Sequence, residues 1–153
     1  MLLNPSTHVK NNIIYYWTIY YLRFDGWTMN KDDLKNRLKS FALRIVVLVD
    51  NMPTTISSQA FARQIIRSGT SPFANYRAAC LAKSDKDFLN KLKMVEEELD
   101  ETSCWLELIA ESDIIAADRL SSIRTECDEL MKIIVASILT HRKNMDRKNV
   151  KSI

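Results

Sequence analysis

Four stretches of this chain repeat oily side chains at intervals of four and three residues, and no other feature restricts the fold as much. Leu34, Leu38, Phe41, Ile45, Leu48 and Met52 form the first series. Ile56, Ala60, Phe61, Ile65, Phe73, Tyr76 and Cys80 can share a second face, less regularly. Phe88, Leu92, Val95, Leu99, Thr102, Leu106 and Ile109 form the third, and Leu120, Ile123, Cys127, Leu130, Ile134 and Ile138 the fourth. An α-helix turns once in about 3.6 residues, so each series lies along one side of a helix and must be covered. Four such helices on short connections predict an all-α, antiparallel up-down-up-down four-helix bundle. Only two Gly and three Pro occur in 153 residues, too few for the many turns of a sheet protein.

Local signals mark the boundaries. Asn30 suits an N-cap, with Asp32 and Asp33 in the first turn, and Pro53 stops the first helix near Asn51. The second helix opens at Thr54 or Thr55 and runs to about Lys83, interrupted by Gly69-Thr70-Ser71-Pro72. Pro72 removes a backbone bond to Ser68, so one helix is kinked there or two helices meet. Ser84 with Asp87 caps the third helix, which ends near Asp113. The fourth fades after His141 into a basic tail.

Residues 1–28 differ from the rest, holding four of the five tyrosines and two of the three tryptophans. The apolar run from Ile13 to Leu22 is far shorter than the roughly 20 residues that span a bilayer. Two readings are open. Met29 is the true start and the upstream segment a misassigned or poorly ordered extension, or the segment is a strand or short helix packed on the bundle or a membrane surface. Either way the expected organisation is an extension over 1–28, a bundle over 29–141 and a basic tail over 142–153. Three cysteines (Cys80, Cys104, Cys127) without Cys-x-x-Cys spacing suit a reducing, cytoplasmic setting.

Charge is unevenly placed, although the net is only +3. From Asn51 to Ser84 there is no acid, while Arg63, Arg67, Arg77 and Lys83 are present. From Asp85 to Asp113 ten acids face Lys86, Lys91 and Lys93, a net of −7. Neighbouring helices or subunits can neutralise one another, or the arginines can meet phosphate, for which the planar guanidinium is suited. The tail adds Arg142, Lys143, Arg147 and Lys148. Apolar residues beyond the main stripes, among them Val47, Met94, Trp105 and Leu108, mean either a wide core face or a second buried face. Trp105, Leu108 and Met94 are the candidate interface of a homo-oligomer.

Catalytic and metal patterns are missing. A di-iron bundle needs Glu-x-x-His on two helices, but the histidines are His8 and His141. No Gly-rich phosphate loop exists, and a cysteine nucleophile would have only His141 to serve it. The expectation is no enzyme, no metal and no cofactor.

Arg63-Gln64, Arg67-Ser68-Gly69-Thr70-Ser71 and Ala74-Asn75-Tyr76-Arg77-Ala78-Ala79 lead into Ser84, Asp87-Phe88 and Lys91-Leu92. Glu97-Glu98, Asp100-Glu101-Thr102 and Trp105-Leu106-Glu107-Leu108 follow. In these motifs the chain resembles the bacterial four-helix bundle proteins encoded in intervening sequences of 23S ribosomal RNA genes. The resemblance implies one long second helix, kinked near Pro72, where an apolar residue is usual. Relatives include the accessory protein of diversity-generating retroelements, a pentameric barrel that binds a reverse transcriptase and nucleic acid. It therefore implies a homo-oligomer, a pentamer by that analogy, with RNA or DNA and a reverse transcriptase as possible partners. The nucleic-acid candidates are Arg63, Arg67, Arg77, Lys83, Arg142, Lys143, Arg147 and Lys148. The alternative is a protein–protein scaffold in which the second-helix arginines pair with Glu97, Glu98 and Glu101.

Overall fold

The computed structural model describes residues 22–24 and 27–151, arranged in two compact units, Met1–Leu34 and Lys35–Ile153. In the first unit β1 (Leu22–Phe24) pairs antiparallel with β2 (Trp27–Met29), Leu22 opposite Met29 and Phe24 opposite Trp27. Most of the 1–28 extension, including the start-site question, lies outside the described residues. Asn30 caps the first helix as its sequence predicts. Its side-chain oxygen accepts from the amides of Asp32 (2.9 Å) and Asp33 (2.8 Å), and the Asp33 carboxylate accepts from the Asn30 amide at 3.1 Å.

The helices are α1 (Lys31–Asp50), α2 (Ile56–Ala79), α3 (Asp85–Glu111) and α4 (Ala117–Lys151), and they form the expected four-helix bundle. Thr55 caps α2 by accepting from the Ser58 amide at 3.3 Å, and Ser84 caps α3 by accepting from the Asp87 amide at 3.1 Å. After α3 the chain turns through Asp113, whose φ of 54° is a left-handed angle that Asp tolerates better than most residues.

Neighbours are read from residue pairs that cross between helices. Phe61 stacks on Trp105 and Arg67 reaches Glu98 and Glu101, so α2 and α3 run antiparallel. Cys127 meets Leu99 and His141 meets Asp85, which sets α4 antiparallel to α3. Arg37 meets Glu126 while Arg44 meets Ser122, so α1 and α4 also run antiparallel. The core contains Leu38, Phe41, Ile45, Ile65, Leu92, Leu99, Leu106, Leu120, Leu130 and Ile134. Each such burial stabilises by about 1.5–3 kcal/mol, far more than helix propensity supplies.

Three expectations change. Helix α2 is a single helix running through Pro72 and stopping at Ala79 rather than Lys83. Its buried face is Ser58, Ile65, Ser68, Gly69, Pro72, Tyr76 and Ala79, whereas Ile56, expected inside, is 91% exposed. Small side chains do the packing here because α1 comes very close. A Cβ on Gly69 would lie 2.7 Å from Ile45 Cγ1. Finally, α4 does not fade at His141 but stays helical to Lys151, so the expected tail is the end of a helix.

Candidate nucleic-acid interface and ion-pair seams

The Arg-Ser-Gly-Thr-Ser stretch of α2 is where three helices meet. Ser68 faces α3, where the Thr102 hydroxyl lies 3.1 Å from its Oγ and donates to the Glu98 carbonyl at 2.7 Å. Both side chains are fully buried, and their mutual bond offsets the cost of burying hydroxyls. Gly69, next in sequence, faces Ile45 of α1. The motif therefore holds helices together.

Arg67 projects from the same turn toward α3. Its Nη1 lies 3.4 Å from Glu98 Oε2 and its Nη2 bonds Glu101 Oε1, which also accepts from Trp105 Nε1 at 3.1 Å. The Trp105 and Arg67 donors hold the Glu101 carboxyl below the usual carboxylate range. Burial pushes Glu98 the other way, upward, and outweighs an arginine that only grazes it and is half exposed. Of the expected carboxylate partners, Glu97 is exposed.

A second seam joins α1 to α4. Arg37 binds Glu126 with two bonds, Nε to Oε1 at 2.7 Å and Nη2 to Oε2 at 2.9 Å, and also reaches Glu129. The Glu126 bond is the main cause of a guanidinium pKa raised above its already high value. Sequence reasoning missed this seam. The only signal was Glu126 and Glu129 standing one helical turn apart.

The remaining basic candidates occupy distinct places. Arg63 is exposed midway along α2. Arg77 lies in the last turn of α2, its guanidinium carbon 5.7 Å from the Phe73 ring centroid. Lys83 and Lys86 are exposed beside the α3 cap, Lys83 donating its backbone amide to Asp87 at 3.2 Å. His141 Nε2 sits 3.5 Å from Asp85 Oδ1, with its ring 4.8 Å from that of Phe88, so residue 141 of α4 is level with the start of α3. The ten residues from Arg142 to Lys151 therefore extend about 15 Å past that level. Arg142, Lys143 and Arg147 are exposed there, while the Lys148 side chain lies outside the described residues.

These stretches thus meet at one end of the bundle. Over 77–91 and 142–147 the cations are Arg77, Lys83, Lys86, Lys91, Arg142, Lys143 and Arg147, and the acids Asp85, Asp87 and Asp146. Asp87 is drawn on by Lys91 at 3.8 Å and Asp85 by His141. Lys86, counted in the sequence only as a minor counter-charge on the acidic helix, belongs with this group.

Among the interface candidates, Met94 is 47% and Leu108 39% exposed, and Trp105 is half-buried, its ring 5.7 Å from that of Phe61. Among the described residues no three His, Cys, Asp or Glu side chains cluster to hold a metal, and no helix is long and apolar enough to cross a membrane.

Four amphipathic helices clasped by buried hydroxyls and charged seams define a helical-bundle protein. The family model for the 23S rRNA-intervening sequence protein matches residues 31–136, and the chain belongs to that family. It is also similar to a solved structure from Bacteroides thetaiotaomicron, described as a protein of unknown function from the S23 ribosomal protein family. Identity is 35% and the TM-score 0.63, over 71% of this chain and 96% of that one. No curated protein matches the chain.

Proposed function

We propose that this protein is a non-catalytic, cytoplasmic, self-associating bundle that binds the phosphate backbone of RNA or DNA through one basic end. The observation that carries the reading is the α3–α4 register. It brings the exposed Arg142, Lys143 and Arg147 to the end of the bundle that also carries Arg77, Lys83 and Lys86. A net positive charge on a projecting helix suits a polyanion and reads little sequence. Arg67 falls outside the binding set, because Glu98 and Glu101 already occupy its guanidinium. Arg63, exposed but distant along α2, contributes less. A family name that refers to ribosomal RNA genes is consistent with this ligand without specifying it.

The test is anisotropy titration of labelled 20-nucleotide RNA and DNA over a KCl series. Affinity should fall steeply with salt, with a log–log slope of about −3.5 to −4 on single strands if five or six phosphates are neutralised. The Arg142→Ala/Lys143→Ala/Arg147→Ala variant should lower that slope by about 2–3, and Arg67→Ala should leave it unchanged. Absence of salt-sensitive association rejects the proposal.

The occupied Arg67 favours a second reading, an interaction scaffold whose partner is another protein, with a reverse transcriptase as the analogy suggests. Association with such a partner that is untouched by the triple substitution, together with no nucleic-acid binding, would establish it instead.

A further inference from the structure

The end of the bundle away from the basic tip carries an open groove of about 540 Å³, where α1 finishes and α4 begins. Buried Ile115 and Ile123 form its floor, and Leu43 and Val47, 56% and 62% exposed, form an oily wall. Arg44 and Arg119, both exposed, line it as well. The lining on α1 runs from Leu43 to Asn51, about 12 Å along the axis at the usual helical rise.

Charge in this groove breaks the pattern of the seam that it continues. Arg37 of α1 is matched across the seam by Glu126 of α4. About two turns further along α1 stands Arg44, and about two turns back along α4 from Glu126 stands Arg119. The antiparallel register that sets a carboxylate against the first arginine therefore sets another arginine against the second. Arg44 Nη2 donates to Ser122 Oγ at 3.0 Å, one turn from Arg119. Among the described residues no carboxylate forms an ion pair with Arg44 or Arg119, whereas Arg37 and Arg67 are each held by two. Like charges facing one apolar floor repel, and an acid brought between them removes the repulsion and accepts charge-assisted hydrogen bonds.

We propose that the α1–α4 groove docks an amphipathic helix of a different protein, its apolar residues on Leu43, Val47, Ile115 and Ile123 and its aspartate or glutamate between Arg44 and Arg119. Shape selects a helix over a small molecule. A small ligand is held by burying most of its surface, which walls that stand more than half exposed do not achieve. A helix laid in the channel between two others covers such walls, and 12 Å admits about two of its turns. Charge selects an acidic helix over a basic one. The surface is separate from the basic end and stands whether or not nucleic acid binds there.

The experiment is fluorescence anisotropy of labelled synthetic peptides of about 15 residues, long enough to turn helical on docking, titrated with the full chain. One peptide carries Leu at helical spacing flanked by Glu, a second has Lys for every Glu, and a third keeps Glu but has Ala for every Leu. The acidic amphipathic peptide should bind at least about tenfold tighter than either control. Arg44→Gln/Arg119→Gln should weaken it at least about tenfold, and Arg44→Glu/Arg119→Glu should invert the preference toward the Lys peptide. Circular dichroism confirms that both variants are folded, as substitutions at exposed positions should be. No association of the acidic peptide with the wild-type chain, or association that both variants leave unchanged, overturns the proposal. Equal binding of the Ala peptide reduces the groove to an anion site and overturns it too. The double Gln variant should leave the salt slope of the RNA titration and the sedimentation of the chain alone as they are. A lowered slope would make phosphate the occupant, and altered sedimentation a second copy, and either result overturns the assignment to another protein.

Discussion

Among the described residues, Cys127 is a side chain whose chemistry its surroundings alter strongly. It is 1% exposed, with Sγ donating to the Leu99 carbonyl at 3.4 Å. Burial pushes its thiol from an ordinary 9.0 up to about 12, and the nearby acids Asp128, Asp100 and Glu126 push the same way. The sign of the consequence follows from proton binding. Between pH 9.0 and about 12 the unfolded chain has lost this proton and the folded chain keeps it. Its contribution is therefore full below that window and is lost as pH rises through it. Denaturant unfolding at pH 8, 9, 10 and 11 should show stability falling, and Cys127→Ala should show a shallower fall. Equal slopes would refute the attribution. A disulfide reagent at neutral pH should label exposed Cys104 rapidly and reach Cys127 only on unfolding.

At the scale of elements, the close approach of α1 and α2 sets the strictest demand. Gly69 is an unfavourable residue inside a helix, yet a methyl there would lie 2.7 Å from Cγ1 and 3.2 Å from Cβ of Ile45. Gly69→Ala gains about 1 kcal/mol of helix propensity and loses more to overpacking, for a net loss of about 1–2 kcal/mol. Thermal unfolding should show a lower Tm, and a raised Tm would mean the helices are not so close. The same spot explains what the sequence revealed and what it hid. Helices α1, α3 and α4 bury regular rows of large apolar residues, and those rows were visible directly. Helix α2 buries Ser58, Ser68, Gly69 and Pro72, which a hydropathy pattern scores as surface, so that pattern places Ile56 inward although it is exposed. The capping residues Asn30 and Ser84 were legible because a cap is local. Pairings such as Arg37 with Glu126, 89 residues apart, were not, since nothing local specifies them. The continuation of α4 was missed for another reason. Its apolar stripe ends near His141, but Arg, Lys and Met are good helix formers without a stripe.

For the whole molecule, core and basic end are separable. Every buried side chain among the described residues lies at or before His141, and the charges proposed to meet phosphate include Arg142, Lys143 and Arg147 beyond it. A chain ending at His141 should therefore keep its helical circular dichroism signal and unfold within about 4 °C of the full chain, a shift equivalent to about 1 kcal/mol or less. Its affinity for RNA at moderate salt should drop by more than about tenfold. Loss of the fold in that variant would show that the overhang is part of the core's support, and unchanged affinity would remove it from the binding surface.

The overhang of α4 has a consequence for how this molecule could diversify or be engineered. Positions on the buried face of that helix are constrained by packing, whereas the exposed Arg142, Lys143 and Arg147 answer only to solvent and to what they touch. Exchanging those three for other side chains should retune which polymer is gripped, and how firmly, while the rest of the molecule folds as before. Recognition would then be an adjustable attachment carried on a fixed chassis.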